Sequence, residues 1–188
     1  MKHTVPRKRK LRLFLSRLAV PWKKSTNEDG PADSILPWGF KSPSPVPAGP
    51  NPVRKVPMSR PCPCSSKLTY ERCCEPFLTG RAFPETAEKL MRSRFTAYAL
   101  CRADYLAATT AAAEREKLDV KELANYCRAV KCVSLKVLST EAGAAGDEAG
   151  VVVFHAKLLV DGKRMLHWEK SRFVREEGHW AYLDGETN

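Results

Sequence analysis

From Glu88 onward apolar residues recur with a period near 3.6: Leu90, Met91, Phe95, Tyr98, Cys101, Tyr105 and Leu106 share one broad stripe, and Leu100 is out of phase. The pattern predicts one long helix from Glu88 to about Thr109. A charged turn follows, and a shorter helix is expected over Val120 to Arg128. The period then changes to 2. Val133, Leu135 and Val137 alternate with Ser134 and Lys136; Val151 to Val160 is a long β-branched run; Met165 to Arg175 and Trp180 to Leu183 complete four expected strands. The connectors Gly143 to Gly150, Asp161-Gly162 and Glu177-Gly178 carry hairpin turn signals. Helices first and antiparallel strands after them predict an α+β layer in which the sheet curls over the helices.

Arg94 falls between Leu90 and Tyr98, in the middle of the apolar stripe, where a charge needs a partner. On the strand from Met165 to Arg175 the period of 2 places Met165, His167, Glu169, Ser171 and Phe173 on one face, and Leu166, Trp168, Lys170, Arg172 and Val174 on the other. Glu169 is the only acid on its face and the natural counterion, so an Arg94–Glu169 ion pair that fixes helix to sheet is expected. The competing meaning is a pocket, with Glu169 as acid or base, His167 or His155 as a second proton-transfer group and Arg94 holding an anion. Cys101 is read as core, Cys127 and Cys132 as small buried residues, and Trp168 and Trp180 as candidates to stack a base or planar ligand.

Cys62, Cys64, Cys73 and Cys74 spell C-x-C-x8-C-C. Four thiols this close satisfy a tetrahedral Zn²⁺, and filling every position with sulfur leaves none for water or substrate, so the site reads as one structural zinc. Two disulfides are the competing assignment; they fit poorly because the adjacent Cys73 and Cys74 cannot bond to each other without strain. Free thiols or another soft metal are the remaining alternatives. Arg60, Lys67 and Arg72 lie beside the cluster in sequence and are expected to damp its negative charge. Removing the metal is expected to loosen the knuckle and leave the rest of the chain folded on its own core.

Composition divides the chain. Residues 1–60 hold 13 Lys and Arg against 3 acids and 10 of the 14 prolines, while residues 61–188 hold 19 against 18, so +10 of the net charge of +11 belongs to the N-terminal segment. That segment is expected to be a disordered basic tail over residues 1–57. It reads as an extension not always made, since Met58 would serve as a start, or as a targeting segment, or as a basic arm for RNA or anionic lipid. No run approaches the roughly 20 apolar residues that cross a bilayer, and a cytoplasmic protein is expected, organellar if the tail is a transit peptide.

The stretch CPCSSKLTYERCC resembles the SEC-C motif, a zinc knuckle also found in the protein-translocation ATPase, where it contacts partners. LMRSRFTAYALCRADYLAATT and EKSRFVREEGHWAYLDG after it resemble the YchJ-like family. Ser65 and Ser66 stand where the motif usually has a Gly-containing turn. The resemblance implies a knuckle over residues 58–80 with zinc on the four cysteines, and an NTF2-like cone over residues 81–188 whose helix and sheet bring Arg94 and Glu169 together where the cone opens. It implies no established reaction. The preferred functional reading is a non-enzymatic module that binds a protein, or RNA, through the knuckle around Lys67, Leu68, Tyr70 and Arg72, with a homodimer through the sheet as a further expectation. The alternative is a small-molecule binder or acid/base enzyme working in the cone. An open pocket at Glu169 with His167 beside it would favour the alternative; a pocket filled by Tyr98, Phe173 and Tyr182 would oppose it.

Overall fold

The computed structural model describes residues 60–187; the tail expected over residues 1–57 lies outside the described residues. The knuckle closes first. Cys62 N–H donates to Leu68 O and Tyr70 N–H to Arg60 O, a single 3₁₀ turn follows at Tyr70–Arg72, and α1 (Glu75–Leu78) starts with Pro76 in its first turn, where a missing N–H costs nothing. Next, α2 (Ala87–Ala99) begins at Thr86, whose side chain accepts from Lys89 N–H. Leu90, Met91, Arg94 and Phe95 are buried on it.

The single long helix expected to Thr109 is broken. Cys101 takes φ +53°, Arg102 N–H donates to Ala97 O and Cys101 N–H to Tyr98 O, the paired bonds of a Schellman C-cap. The out-of-phase Leu100 is exposed at this break, and so is Cys101, contrary to its expected place in the core. Beyond it α3 (Ala103–Ala108) folds back on α2. A short α4 (Ala112–Arg115) precedes α5 (Val120–Ala129), capped by Asp119, whose carboxylate accepts from Lys121 and Glu122 N–H.

Strands β1 (Val130–Ala142), β2 (Ala149–Val160), β3 (Lys163–Glu176) and β4 (His179–Thr187) form an antiparallel meander in sequence order. The Asp161-Gly162 and Glu177-Gly178 turns have positive φ at both residues, the backbone that matches strand twist. Register shifts at Cys132/Ser134, Val137/Ser139 and Arg172/Phe173 bend the strands. The sheet therefore curls around α2, which packs against β1, β2 and β4. The helical layer is also stitched to β4: Tyr182 N–H donates to Thr109 O, and Ala111 N–H to Tyr182 O. Among the described residues no helix is long and apolar enough to cross a membrane.

The β1–β2 hairpin meets the start of α2 through glycine. Ala87 N–H donates to Gly143 O, and a Cβ on Gly143, at φ +84°, would lie 2.7 Å from Ala87 Cβ. Replacing Gly143 with Ala is expected to cost about 1–3 kcal/mol through overpacking and left-handed strain together. Gly162→Ala, also at positive φ but with nothing within 4 Å, should cost about 1 kcal/mol. Urea denaturation with unchanged m-values measures both; equal losses would contradict the close approach.

Candidate metal centre and cone cavity

The four Sγ atoms of Cys62, Cys64, Cys73 and Cys74 lie within 4.8 Å of one another, with Cys64–Cys73 at 3.5 Å and Cys73–Cys74 at 3.7 Å. A sulfur tetrahedron with metal bonds of about 2.3 Å has edges of about 3.8 Å. The donor set fits one thiophilic ion. Cys62, Cys64 and Cys74 are buried and Cys73 half-buried. Hydrogen bonding from Cys62, then Cys74, holds Cys64 far below the usual thiol range; the bond to Cys62 drives Cys74 upward, and burial pushes Cys73 up to about 11.

Local geometry explains the serines. Ser65 and Lys67 adopt φ +60° and +67°, the conformation a glycine turn would supply. Ser65 Oγ accepts from Leu135 N–H of β1 at 3.2 Å, while Ser66 Oγ lies 3.1 Å from Cys73 Sγ and accepts from Leu68 N–H. The knuckle docks on α2 as well: Cys62 Sγ is 3.8 Å from Thr96 Oγ1, and Arg92 Nη1 donates to Cys64 O. Arg60, Lys67 and Arg72 are exposed. Arg92 instead reaches the knuckle backbone, held by Glu88 four residues earlier; that i,i+4 spacing was its signal in the sequence.

A second feature lies inside the cone, a cavity of about 90 Å³ between α2, α5 and the concave face of the sheet. Arg94, His167, Glu169 and Ser171 all line it, as do Tyr98, Phe173 and Tyr182, which form walls around open space. Glu169 is 5% exposed. Its Oε2 is 2.9 Å from His167 Nε2, and its Oε1 accepts from Ser171 Oγ at 2.6 Å and Tyr182 Oη at 3.2 Å. Gly185 makes room for the carboxylate, since a Cβ there would lie 2.4 Å from Oε1. Burial, then the Glu169 charge, raises Tyr182 well above the usual phenol range, so it remains a donor.

Arg94 is buried but is not in ion-pair contact with Glu169, which corrects the expected pair. Its Nη1 donates to Leu106 O, Thr109 Oγ1 and Thr110 Oγ1, and its guanidinium carbon sits 4.5 Å over the Tyr182 ring. The cause is the break at Cys101. By folding α3 back on α2 it brings the Leu106 carbonyl and two hydroxyls to Arg94, and Tyr182 stands between the two charges. His155 lies on the outer face of the sheet, opposite Trp168, and has no part in the cavity. Trp180 is fully buried with Nε1 on Glu85 O, which removes it as a stacking platform. Tyr126, which the sequence pattern did not single out, and Cys132 also line the cavity; burial pushes the Cys132 thiol up to about 12, so it is no ready nucleophile. His167 held by a carboxylate can bind and move a proton.

Residues 86–185 match a family described as YchJ, middle NTF2-like domain. A UPF0225 protein of Actinobacillus succinogenes is 36% identical over 123 residues, covering 65% of this chain and 79% of the relative. One from Vibrio parahaemolyticus is 38% identical over 133 residues, covering 68% and 75%. Among solved structures, the chain is similar to a SEC-C motif containing protein from Rhodopseudomonas palustris, at TM-score 0.63 and 32% identity over 69% of this chain and 99% of that one. Another from Psychrobacter arcticus gives TM-score 0.59 and 26% identity over 70% and 83%.

The sulfurs belong to the same buried cluster as Leu78, Leu90, Phe95 and Leu135, which alters the expectation that metal removal spares the rest of the chain. A chelator under reducing conditions should lower the melting temperature of the whole domain by at least about 10 °C, the shift that roughly 3 kcal/mol gives at this size. Calorimetry showing an unchanged main transition would contradict it.

Proposed function

The chain belongs to the YchJ-like family, and we propose that it is a small-molecule-binding protein whose ligand sits in the cone against Glu169 and His167, while Cys62, Cys64, Cys73 and Cys74 hold one structural zinc. The carrying observation is a buried, hydrogen-bonded carboxylate that faces open space. A few convergent polar groups in an otherwise apolar cavity are what a ligand site consists of. An engineered apolar cavity of about 150 Å³ takes up benzene, so the smaller volume here, about 90 Å³, suits a molecule smaller than benzene with an N–H edge for Glu169. Zinc follows from four sulfurs at tetrahedral spacing, and its part is to hold the knuckle to α2 and β1. The groups present supply binding and proton transfer, with no activated nucleophile.

The interaction module is the second reading. It is favoured by Leu68, 51% exposed on the knuckle beside the exposed Lys67 and Arg72. The docking of the serine turn onto β1 and of Cys62 onto α2 leaves that surface small.

Ligand-observed NMR on the full chain with acetamidine, acetamide and acetate tests the cavity. The two probes with N–H donors should bind better than acetate, and Ala156→Phe, which fills the cavity, should weaken them more than tenfold. Glu169→Gln should weaken acetamidine most, and serves if Ala156→Phe fails to fold. No binding to the wild-type protein, or binding indifferent to both substitutions, would overturn the reading.

A further inference from the structure

The convex face of the sheet points away from the cavity, and strand register fixes which residues lie together on it. Lys131 of β1 is opposite Leu159 of β2, which is opposite Arg164 of β3. The next row is Ser134, Lys157 and Leu166, and the third is Lys136, His155 and Trp168. The buried residues on either side, Leu135, Phe154, Ala156 and Glu169, face inward, so these three rows face out. They hold four fixed cations and no acid. Lys131, Lys136, Lys157 and Arg164 are all exposed, and none forms an ion pair among the described residues. Asp161 in the β2–β3 turn is the nearest acid at the hairpin end, and along the strands acids return in the rows beyond, where Arg172 is paired with Asp184 and Lys170 is opposite Glu186.

Within this cationic half Trp168 is half-exposed and Leu166 is 60% exposed. A sheet surface spanning about 10 Å across three strands and about 13 Å along them, with one indole among four unpaired cations, has the two components of single-strand recognition: charges for phosphates and a flat ring for bases. Four-stranded sheets of other RNA-binding modules stack two or three bases on a face of this size. We infer that the outer face of β1–β3, at the β2–β3 hairpin end, binds single-stranded nucleic acid, with Trp168 as the stacking platform and Lys131, Lys136, Lys157 and Arg164 on the backbone. Charge complementarity selects this occupant over a second copy, which would bring the same four cations against a face whose acid-bearing rows are nearly neutral. The inference is independent of the ligand reading, since the cavity opens on the other side of the sheet.

The experiment is fluorescence anisotropy of the full chain with labelled 12-nucleotide oligouridylate and oligothymidylate across a salt series. The basic N-terminal segment is common to every variant, so differences report the face. Lys136→Glu with Lys157→Glu should weaken binding at least tenfold and reduce the slope of log K against log salt by about 1.4, two phosphate contacts at about 0.7 each. Trp168→Ala should weaken binding at least fivefold with the slope unchanged, and Trp168→Phe should recover most of it. Lys121→Glu with Arg128→Glu on α5 is the charge-matched control and should change affinity less than twofold. Preference for one oligomer identifies RNA or DNA as the source. Equal losses in the face and control variants, or Trp168→Ala without effect in a folded protein, would overturn the inference. So would tighter binding to phosphatidylglycerol vesicles through the same residues, or a dimer that Trp168→Ala dissociates with no oligonucleotide bound.

Discussion

A carboxyl group buried to 5% exposure in an apolar cone needs hydrogen-bond partners for its oxygens, and the architecture around Glu169 follows from that demand. Two of its partners, His167 and Ser171, flank it at i−2 and i+2 on β3, where the period of a strand puts them on the same face. The third, Tyr182, comes from β4, which can approach because residue 185 is glycine. The Tyr182 ring then carries Arg94, and Arg94 in turn holds the end of α3 through Leu106, Thr109 and Thr110. One chain of contacts therefore joins the sheet to both helices and leaves the cavity at its centre.

The knuckle answers a different shortage. A metal-binding loop this short cannot bury a core of its own, so it borrows one. Its sulfurs lie among the apolar residues of α1, α2 and β1, and its serine turn covers a backbone N–H on β1, an edge strand of the sheet. Covering edge donors in this way guards against pairing with other chains. The sulfur cluster is thereby a fastening between segments.

Much of this was legible because strands and turns announce themselves locally. The alternation on β3 placed His167, Glu169, Ser171 and Phe173 inward correctly, the Asp161-Gly162 and Glu177-Gly178 turns occur where their residues predict, and C-x-C-x8-C-C foretold the gathered sulfurs. The helix break was not legible. A Schellman cap usually shows a glycine at its left-handed position; here Cys101 occupies it, and the stripe of Tyr105 and Leu106 continues in near phase past the break. That single miss produced two others: Cys101 was read as buried, and Arg94 was assigned to Glu169 because the acceptors on α3 are near only once the chain turns back. The division of the two faces was readable for β3, but the clustering of cations from three strands on the convex face needed the register.

The claim that Tyr182 holds the Glu169 carboxyl group in the cone is most directly tested by a double-mutant cycle on stability, with Glu169→Gln, Tyr182→Phe and their combination. Removing either partner of a buried, charged hydrogen bond leaves the other poorly satisfied, so the two losses should overlap by about 1–3 kcal/mol. Losses that add to within about 0.3 kcal/mol would mean that the tyrosine does not hold the carboxylate, and the account of the cone would fail with it.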